Sequence, residues 1–126
     1  MKAFTKAATQ NTPEINFDIN KNIFEISGKS FPEDSQGFYD QFLNWIDETA
    51  NEFPENLIIN FNFYYLSSSS IIAIKKLLLK LKNFEKSGKK IIIHWYYDED
   101  DDDIKRTGED YEKVAGMKFS YIVNKE

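Results

Sequence analysis

Cysteine is absent from the 126-residue chain, and histidine occurs once, as His94. Without cysteine the chain can form no disulfide, thiolate metal site or cysteine nucleophile, which agrees with a reducing compartment. His94 has no companion for a catalytic triad, so we predict that the protein has no catalytic residues and is not an enzyme. The five glycines form neither a dinucleotide-binding nor a phosphate-binding loop, and we expect no cofactor.

Long apolar runs and an excess of basic charge are also missing. The longest apolar stretch, residues 71–81, is interrupted by Lys75, Lys76 and Lys80, so we expect no segment to span a membrane. The N-terminus lacks the apolar core of a signal peptide. A formal net charge of −5 disfavours a nucleic-acid partner, because such proteins usually present a basic surface. The composition therefore favours a cytoplasmic protein with protein partners.

Two periodicities divide the chain into strands and helices. Alternating apolar residues predict strands at 15–19, 23–26, 57–65, 90–97 and 119–123. Helical spacing predicts helices that begin at 33–35, 69 and 104, and glycine or proline follows each of them. The predicted order is ββαβαβαβ, which indicates an α/β fold with a mixed sheet in which 57–65 and 90–97 are parallel. Nothing marks a second domain, so residues 1–126 are expected to form one.

Four consecutive serines, Ser67 to Ser70, join the third predicted strand to the second predicted helix. A serine is a preferred N-cap because its oxygen accepts from the amides of the first helical turn. Those amides and the helix dipole also favour an added phosphate. If Ser67 or Ser68 caps the helix, capping accounts for one of the four serines. The functional alternative is that one of the serine hydroxyls is phosphorylated.

The second predicted helix carries two apolar stripes. Ile71, Ile74, Leu78 and Leu81 share the stripe that we assign to the core. A second stripe contains Ile72, Lys76 and Leu79, and it either contacts a partner or faces the domain.

The acidic run Asp98 to Asp103 resembles part of a calcium-binding EF-hand loop. Position 6 of that loop is Asp103 instead of the required glycine, and the preceding segment is predicted to be a strand. The carboxylates can instead stabilise the positive end of the following helix. We expect no specific metal site and a solvated loop that contacts a partner, with divalent-cation binding or a scaffold role as the alternative.

Several motifs together resemble the SiaC family of regulatory phosphoproteins. They occur in order along nearly the whole chain: Thr12-Pro13, residues 26–33 (ISGKSFPE), Phe38-Tyr39, Trp45, residues 65–70 (YLSSSS), residues 95–101 (WYYDEDD) and residues 108–111 (GEDY).

The resemblance implies a fold like that of the STAS anti-sigma-factor antagonists and a switch controlled by phosphorylation. The family's phosphorylated threonine corresponds to Ser68, where this chain has serine, and Ser67 replaces the usual asparagine. Ser67 and Ser69 are therefore rival acceptors. The implied partners are a cognate Ser/Thr protein kinase, a PP2C-type phosphatase and a diguanylate cyclase that binds the unmodified form. The expected partner-binding residues are Ser69, Ser70, Ile72, Lys76, Leu79, Asp100 and Asp101.

Overall fold

The computed structural model describes residues 2–125, which form one six-stranded sheet and three α-helices. The strands are β1 (Ala3–Lys6), β2 (Glu14–Asp18), β3 (Ile23–Ser30), β4 (Asn56–Leu66), β5 (Lys90–Tyr97) and β6 (Phe119–Val123). The helices are α1 (Ser35–Thr49), α2 (Ser68–Lys86) and α3 (Asp102–Ala115), and a short 3-10 turn, Ala50–Glu52, follows α1.

The strands lie in the sheet in the order in which they occur along the chain. β1, β2 and β3 are antiparallel neighbours, whereas β3, β4, β5 and β6 run parallel. Each parallel connection passes through a helix, as expected for parallel strands. The predicted α/β fold, the mixed sheet and the parallel pairing of β4 with β5 are confirmed.

Strand β1 is absent from the predicted order. Residues 3–6 are too few to show a clear alternation of apolar and polar side chains, so local pattern does not identify them. Pairing with β2 holds β1 in the sheet, and the Phe4 ring packs on Phe42 with 5.2 Å between ring centroids. The strand therefore depends on contacts with distant residues.

Side-chain caps determine where the helices begin. Asp34 accepts a hydrogen bond from the Gly37 amide at 2.9 Å, which places the start of α1 in the predicted region. Ser67 caps α2, which begins at Ser68, one residue earlier than predicted. Gly116 ends α3 with a left-handed backbone at φ 66°, a conformation that glycine adopts without strain.

The three helices lie side by side on one face of the sheet, and the core fills the space between the two layers. Leu57, Ile59, Phe61 and Phe63 of β4 point into that core. The alternate β4 side chains lie on the opposite face, which no described element covers.

The core stripe of α2 differs in part from the prediction. Its buried apolar residues are Ala73, Ile74, Leu77, Leu78, Leu81 and Phe84. Ile71, which we assigned to the core, is 37% exposed, because the buried face of the helix is centred on Ile74 and Leu78. Ile72 and Leu79 are 58% and 44% exposed, so the second stripe faces away from the domain. Within residues 2–125, no helix has the length and apolar character needed to cross a membrane.

Candidate functional site

The four serines lie at the carboxyl ends of the parallel strands β3 and β4. Gly28, with φ 114°, stands at a register shift that brings Ser30 level with Leu66. The Ser67 amide donates to the Ser30 carbonyl at 2.9 Å, which holds the start of α2 against the end of β3. Ligand and partner sites of α/β proteins favour this edge of the sheet.

Ser67 and Ser70 are held in a hydrogen-bond network inside the protein. The Ser67 hydroxyl accepts from the Ser70 amide at 3.2 Å and donates to the Ser70 hydroxyl at 2.9 Å. Ser70 is fully buried, and its hydroxyl lies 2.7 Å from that of Ser30. Ser67 is therefore the structural N-cap, and the Ser70 side chain is unable to contact a partner in this conformation.

Tyr39 of α1 completes the network. Its phenol lies 2.6 Å from the Ser30 hydroxyl, and the residue is 1% exposed. Burial raises the pKa of Tyr39 to about 12, although hydrogen bonds with Ser30 and Ser70 act in the opposite direction. The phenol therefore stays neutral at physiological pH and ties α1 to the first turn of α2.

Ser69 is exposed, but its hydroxyl forms a hydrogen bond with another helix. It lies 2.7 Å from the hydroxyl of Ser35, the first residue of α1. A shallow groove between the two helices begins at these serines and runs past Ile72 to Lys76. Modification of Ser69 would break the contact between the N-termini of α1 and α2.

Ser68 differs from its three neighbours. Its side chain is exposed, and among residues 2–125 its hydroxyl has no hydrogen-bond partner. Its amide is also one of the first-turn groups that an α-helix leaves without an internal acceptor. Ile72, Lys76 and Leu79 follow Ser68 at spacings of four, four and three residues, so all four lie on one exposed stripe of α2.

Exposed aromatic rings flank the serines, and the sequence reasoning missed their role. Phe31 and Tyr65 are 41% and 52% exposed, and their rings meet edge to face at 5.8 Å. Phe31 follows Ser30 directly, and Tyr65 precedes Ser67 by two residues. No local signal was available, because strict alternation places Tyr65 on the core side with Phe63. The register shift between β3 and β4 leaves Tyr64 and Tyr65 both exposed instead.

The acidic loop lies at the same edge of the sheet as the serines. A small cleft between them is lined by Tyr64, Tyr65 and Leu66 on one side and by Asp101 and Asp103 on the other. Asp101 caps α3 by accepting from the Ile104 amide at 3.0 Å, so its carboxylate is used within the fold. Asp100 is exposed. The edge therefore combines hydroxyl, aromatic and acidic groups.

Metal binding by the acidic loop has no geometric support. Across residues 2–125, no group of three or more His, Cys, Asp or Glu side chains is arranged to hold a metal ion. The Asp98 carboxylate instead accepts a hydrogen bond from the side-chain amide of Asn124 at 2.9 Å. The expected placement of carboxylates at the N-terminal end of the third helix is confirmed, with Asp101 as the cap and Asp102 and Asp103 in the first turn.

Comparison with known proteins gives one family and one fold. A family model described as SiaC family regulatory phosphoprotein matches residues 6–124. A search of curated proteins finds no match. The crystal structure of apo-SiaC from Pseudomonas aeruginosa is similar at 23% identity over 98% of this chain and 100% of that one, with a TM-score of 0.86.

A chain in the crystal structure of the diguanylate cyclase SiaD in complex with its activator SiaC, also from Pseudomonas aeruginosa, is similar as well. It has a TM-score of 0.87 and 23% identity over 96% of this chain and 99% of that one. At this identity the likeness establishes the fold.

Proposed function

Because the chain belongs to the SiaC family of regulatory phosphoproteins, we propose that it is a non-enzymatic bacterial signalling switch controlled by phosphorylation of Ser68. The unmodified form would bind an effector such as a diguanylate cyclase, the partner named in the related SiaD–SiaC complex. A cognate Ser/Thr protein kinase would add the phosphate and a PP2C-type phosphatase would remove it. We place the protein in the cytoplasm and assign residues 1–126 to one regulatory domain.

The observation that carries this proposal is the free, exposed hydroxyl of Ser68 at the first position of α2. A kinase must reach the hydroxyl that it modifies, and Ser67 and Ser70 are tied into the internal network. Ser69 is accessible but bonded to Ser35. Ser68 is therefore the acceptor that requires no rearrangement of the fold.

The surroundings of Ser68 also explain why phosphate would stop binding. The proposed docking surface consists of Ser69, Ile72, Lys76 and Leu79 on α2, the rings of Phe31 and Tyr65, and Asp100 on the acidic loop. A phosphate carries about −1.5 to −2 charges at neutral pH. Burying that charge beside apolar side chains costs several kcal/mol unless the partner supplies a cation.

Mass spectrometry tests the acceptor. Protein isolated from its native host should carry one phosphate on the peptide that contains residues 67–70, and Ser68→Ala should abolish it. Ser69→Ala is the matched control and should retain the phosphate. Phosphate that persists in Ser68→Ala would assign the switch to a neighbouring serine, and its absence under every growth condition would leave the serines as a cap.

Calorimetric titration with the purified diguanylate cyclase of the same host tests the docking surface. Ile72→Ser should raise the dissociation constant at least tenfold, because an apolar contact at the centre of the stripe is lost. Val114→Ser on α3 is the matched control, since Val114 is 55% exposed and lies outside the surface. Equal affinity of wild type and Ile72→Ser for the cyclase would show that the exposed stripe of α2 is not part of the interface.

A further inference from the structure

Three of the four serines at the start of α2 are kept from accepting phosphate, each in a different way. Ser67 donates its hydroxyl proton to Ser70 and accepts from the Ser70 amide. Ser70 is 0% exposed, so packing alone shields it from another protein. Ser69 is as open to solvent as Ser68 in class, and the contact that sets it apart joins its hydroxyl to that of Ser35.

The hydroxyl of Ser35 depends on this contact. Within residues 2–125, Ser69 is the one hydrogen-bond partner of that hydroxyl, and Ser35 itself is 7% exposed. A buried hydroxyl without a partner has lost its hydration and has gained no bond in exchange. Rotation of Ser69 away from Ser35 therefore carries a penalty that rotation of Ser68 does not carry.

Phosphorylation of Ser69 would require that rotation. In the transfer, the serine oxygen bonds to the γ-phosphorus of ATP and the bond from that phosphorus to the β–γ bridging oxygen breaks. ADP then leaves, and the hydroxyl proton passes to a base of the kinase. A kinase must surround the acceptor oxygen, but the Ser69 oxygen lies 2.7 Å from a hydroxyl on another helix. The unpairing of Ser35 lowers the population of an accessible Ser69 side chain by about five- to hundredfold.

From these contacts we propose that Ser35 is a positioning residue that keeps Ser69 from being phosphorylated and so confines the switch to Ser68. This role rests on the proposed phosphorylation of the serine run. Ser35 lies 34 residues before Ser69 in the chain and is the first residue of α1. The acceptor is therefore selected by a tertiary contact between two helix starts, and not by the serine run itself.

The neighbouring hydroxyl network does not hold Ser69. The Ser30 hydroxyl contacts those of Tyr39 and Ser70, and the Ser70 hydroxyl also donates to the Ser30 carbonyl at 3.0 Å. Loss of the Ser30 hydroxyl would leave the contact between Ser35 and Ser69 in place. Ser30→Ala is therefore a matched control, because it also removes the hydroxyl of a buried serine next to the start of α2.

Phosphopeptide mapping of protein from its native host, under growth conditions that phosphorylate the wild type, tests this role in the Ser68→Ala background. Ser68→Ala alone should carry little phosphate. Ser35→Ala/Ser68→Ala should carry phosphate on Ser69, at least about fivefold above the level in Ser68→Ala. Ser30→Ala/Ser68→Ala should stay at the level of Ser68→Ala. Circular dichroism and the melting temperature of each variant would show that it is folded.

The outcomes distinguish this role from the proposed function. If the wild type carries phosphate on Ser68 and Ser35→Ala/Ser68→Ala carries none, Ser35 does not protect Ser69, and the switch at Ser68 stands. Phosphate on Ser69 in a chain with intact Ser35 would also overturn the role of Ser35.

Equal phosphorylation of the Ser30→Ala and Ser35→Ala double variants would attribute the effect to general loosening, which would overturn the role as well. A wild type without phosphate on any serine of the run, under every growth condition, would overturn both the role of Ser35 and the proposed function.

Discussion

At the scale of single residues, the four serines at the start of α2 have the same chemistry and different surroundings. Ser67 caps the helix, Ser70 is buried against Ser30, Ser69 contacts Ser35, and Ser68 projects into solvent. A hydroxyl that satisfies a backbone donor contributes to stability, whereas an exposed hydroxyl without a partner contributes little. Substitutions at adjacent positions should therefore have different effects.

Replacement of Ser67 by alanine should lower the free energy of unfolding by about 0.5–2 kcal/mol, because the Ser70 amide loses its acceptor. Ser68→Ala should change it by less than about 0.5 kcal/mol, since its exposed hydroxyl makes no contact in the described part of the chain. Urea denaturation measures both. Equal destabilisation of the two variants would contradict the assignment of Ser67 as the cap.

The buried phenol of Tyr39 should make stability depend on alkaline pH. Its folded pKa of about 12 is above the unfolded value of about 10, so its contribution is complete below pH 10 and is lost as pH rises towards 12. Tyr39→Phe should reduce the slope of unfolding free energy against pH by up to about 1.4 kcal/mol per unit in that window.

Tyr39→Phe also loses a hydrogen bond at neutral pH, so the slopes and not the absolute stabilities are compared. Burial also raises the pKa values of Tyr111 and Tyr121, and these residues keep part of the slope in the variant. Urea denaturation at a series of alkaline pH values gives the comparison. Identical slopes would show that Tyr39 does not titrate differently in the two states.

At the scale of elements, α3 packs on the sheet through a glycine. A β-carbon on Gly108 would lie 2.5 Å from the Trp95 ring of β5, so only glycine allows this approach. The Trp95 indole donates to the Ile104 carbonyl at 2.9 Å, and the Tyr111 hydroxyl donates to the Ile71 carbonyl at 2.7 Å. The motif at residues 108–111 thus joins α3 to β5 and to the first turns of α2.

Gly108→Ala should destabilise the fold by about 1–3 kcal/mol, because the added methyl group forces α3 away from Trp95. The higher helix propensity of alanine offsets at most about 1 kcal/mol of that loss. Val114→Ala on the exposed side of the same helix should have an effect below about 0.5 kcal/mol. Thermal unfolding of the two variants measures the difference, and an unchanged Gly108→Ala would show that the packing can relax freely.

At the scale of the whole molecule, the groups proposed for signalling lie at one edge of the sheet. The serines, the exposed stripe of α2 and the acidic loop meet at the carboxyl edge of the parallel strands.

A negative charge at Ser68 should affect stability and effector binding in opposite directions. Ser68→Asp should stabilise the fold by about 0.3–1 kcal/mol, because carboxylates are favourable at the N-terminus of a helix. The same variant should bind its effector at least tenfold more weakly. Thermal unfolding and calorimetric titration provide the two values, and a Ser68→Asp protein that binds like wild type would refute the switch.

Much of the fold follows from the sequence, because the spacing of apolar side chains shows which face of a strand or helix will be buried. These patterns predicted every helix, five of the strands and the parallel pairing of β4 with β5. The sequence also predicted that serines cap α2 and that carboxylates lie at the N-terminal end of α3, because a helix cap is formed by residues adjacent in the chain.

Tertiary structure alone decided which serine is free and which surface is open. Ser30, Ser35 and Tyr39 lie at least 29 residues before the first residue of α2. The hydroxyls of Ser35 and Ser30 nevertheless contact those of Ser69 and Ser70, and the Tyr39 phenol contacts Ser30. Strand β1, the exposure of Ile71 and the fit of Gly108 on Trp95 likewise depend on distant partners. Local patterns carry no information about such contacts, because each contact exists only after the chain has folded.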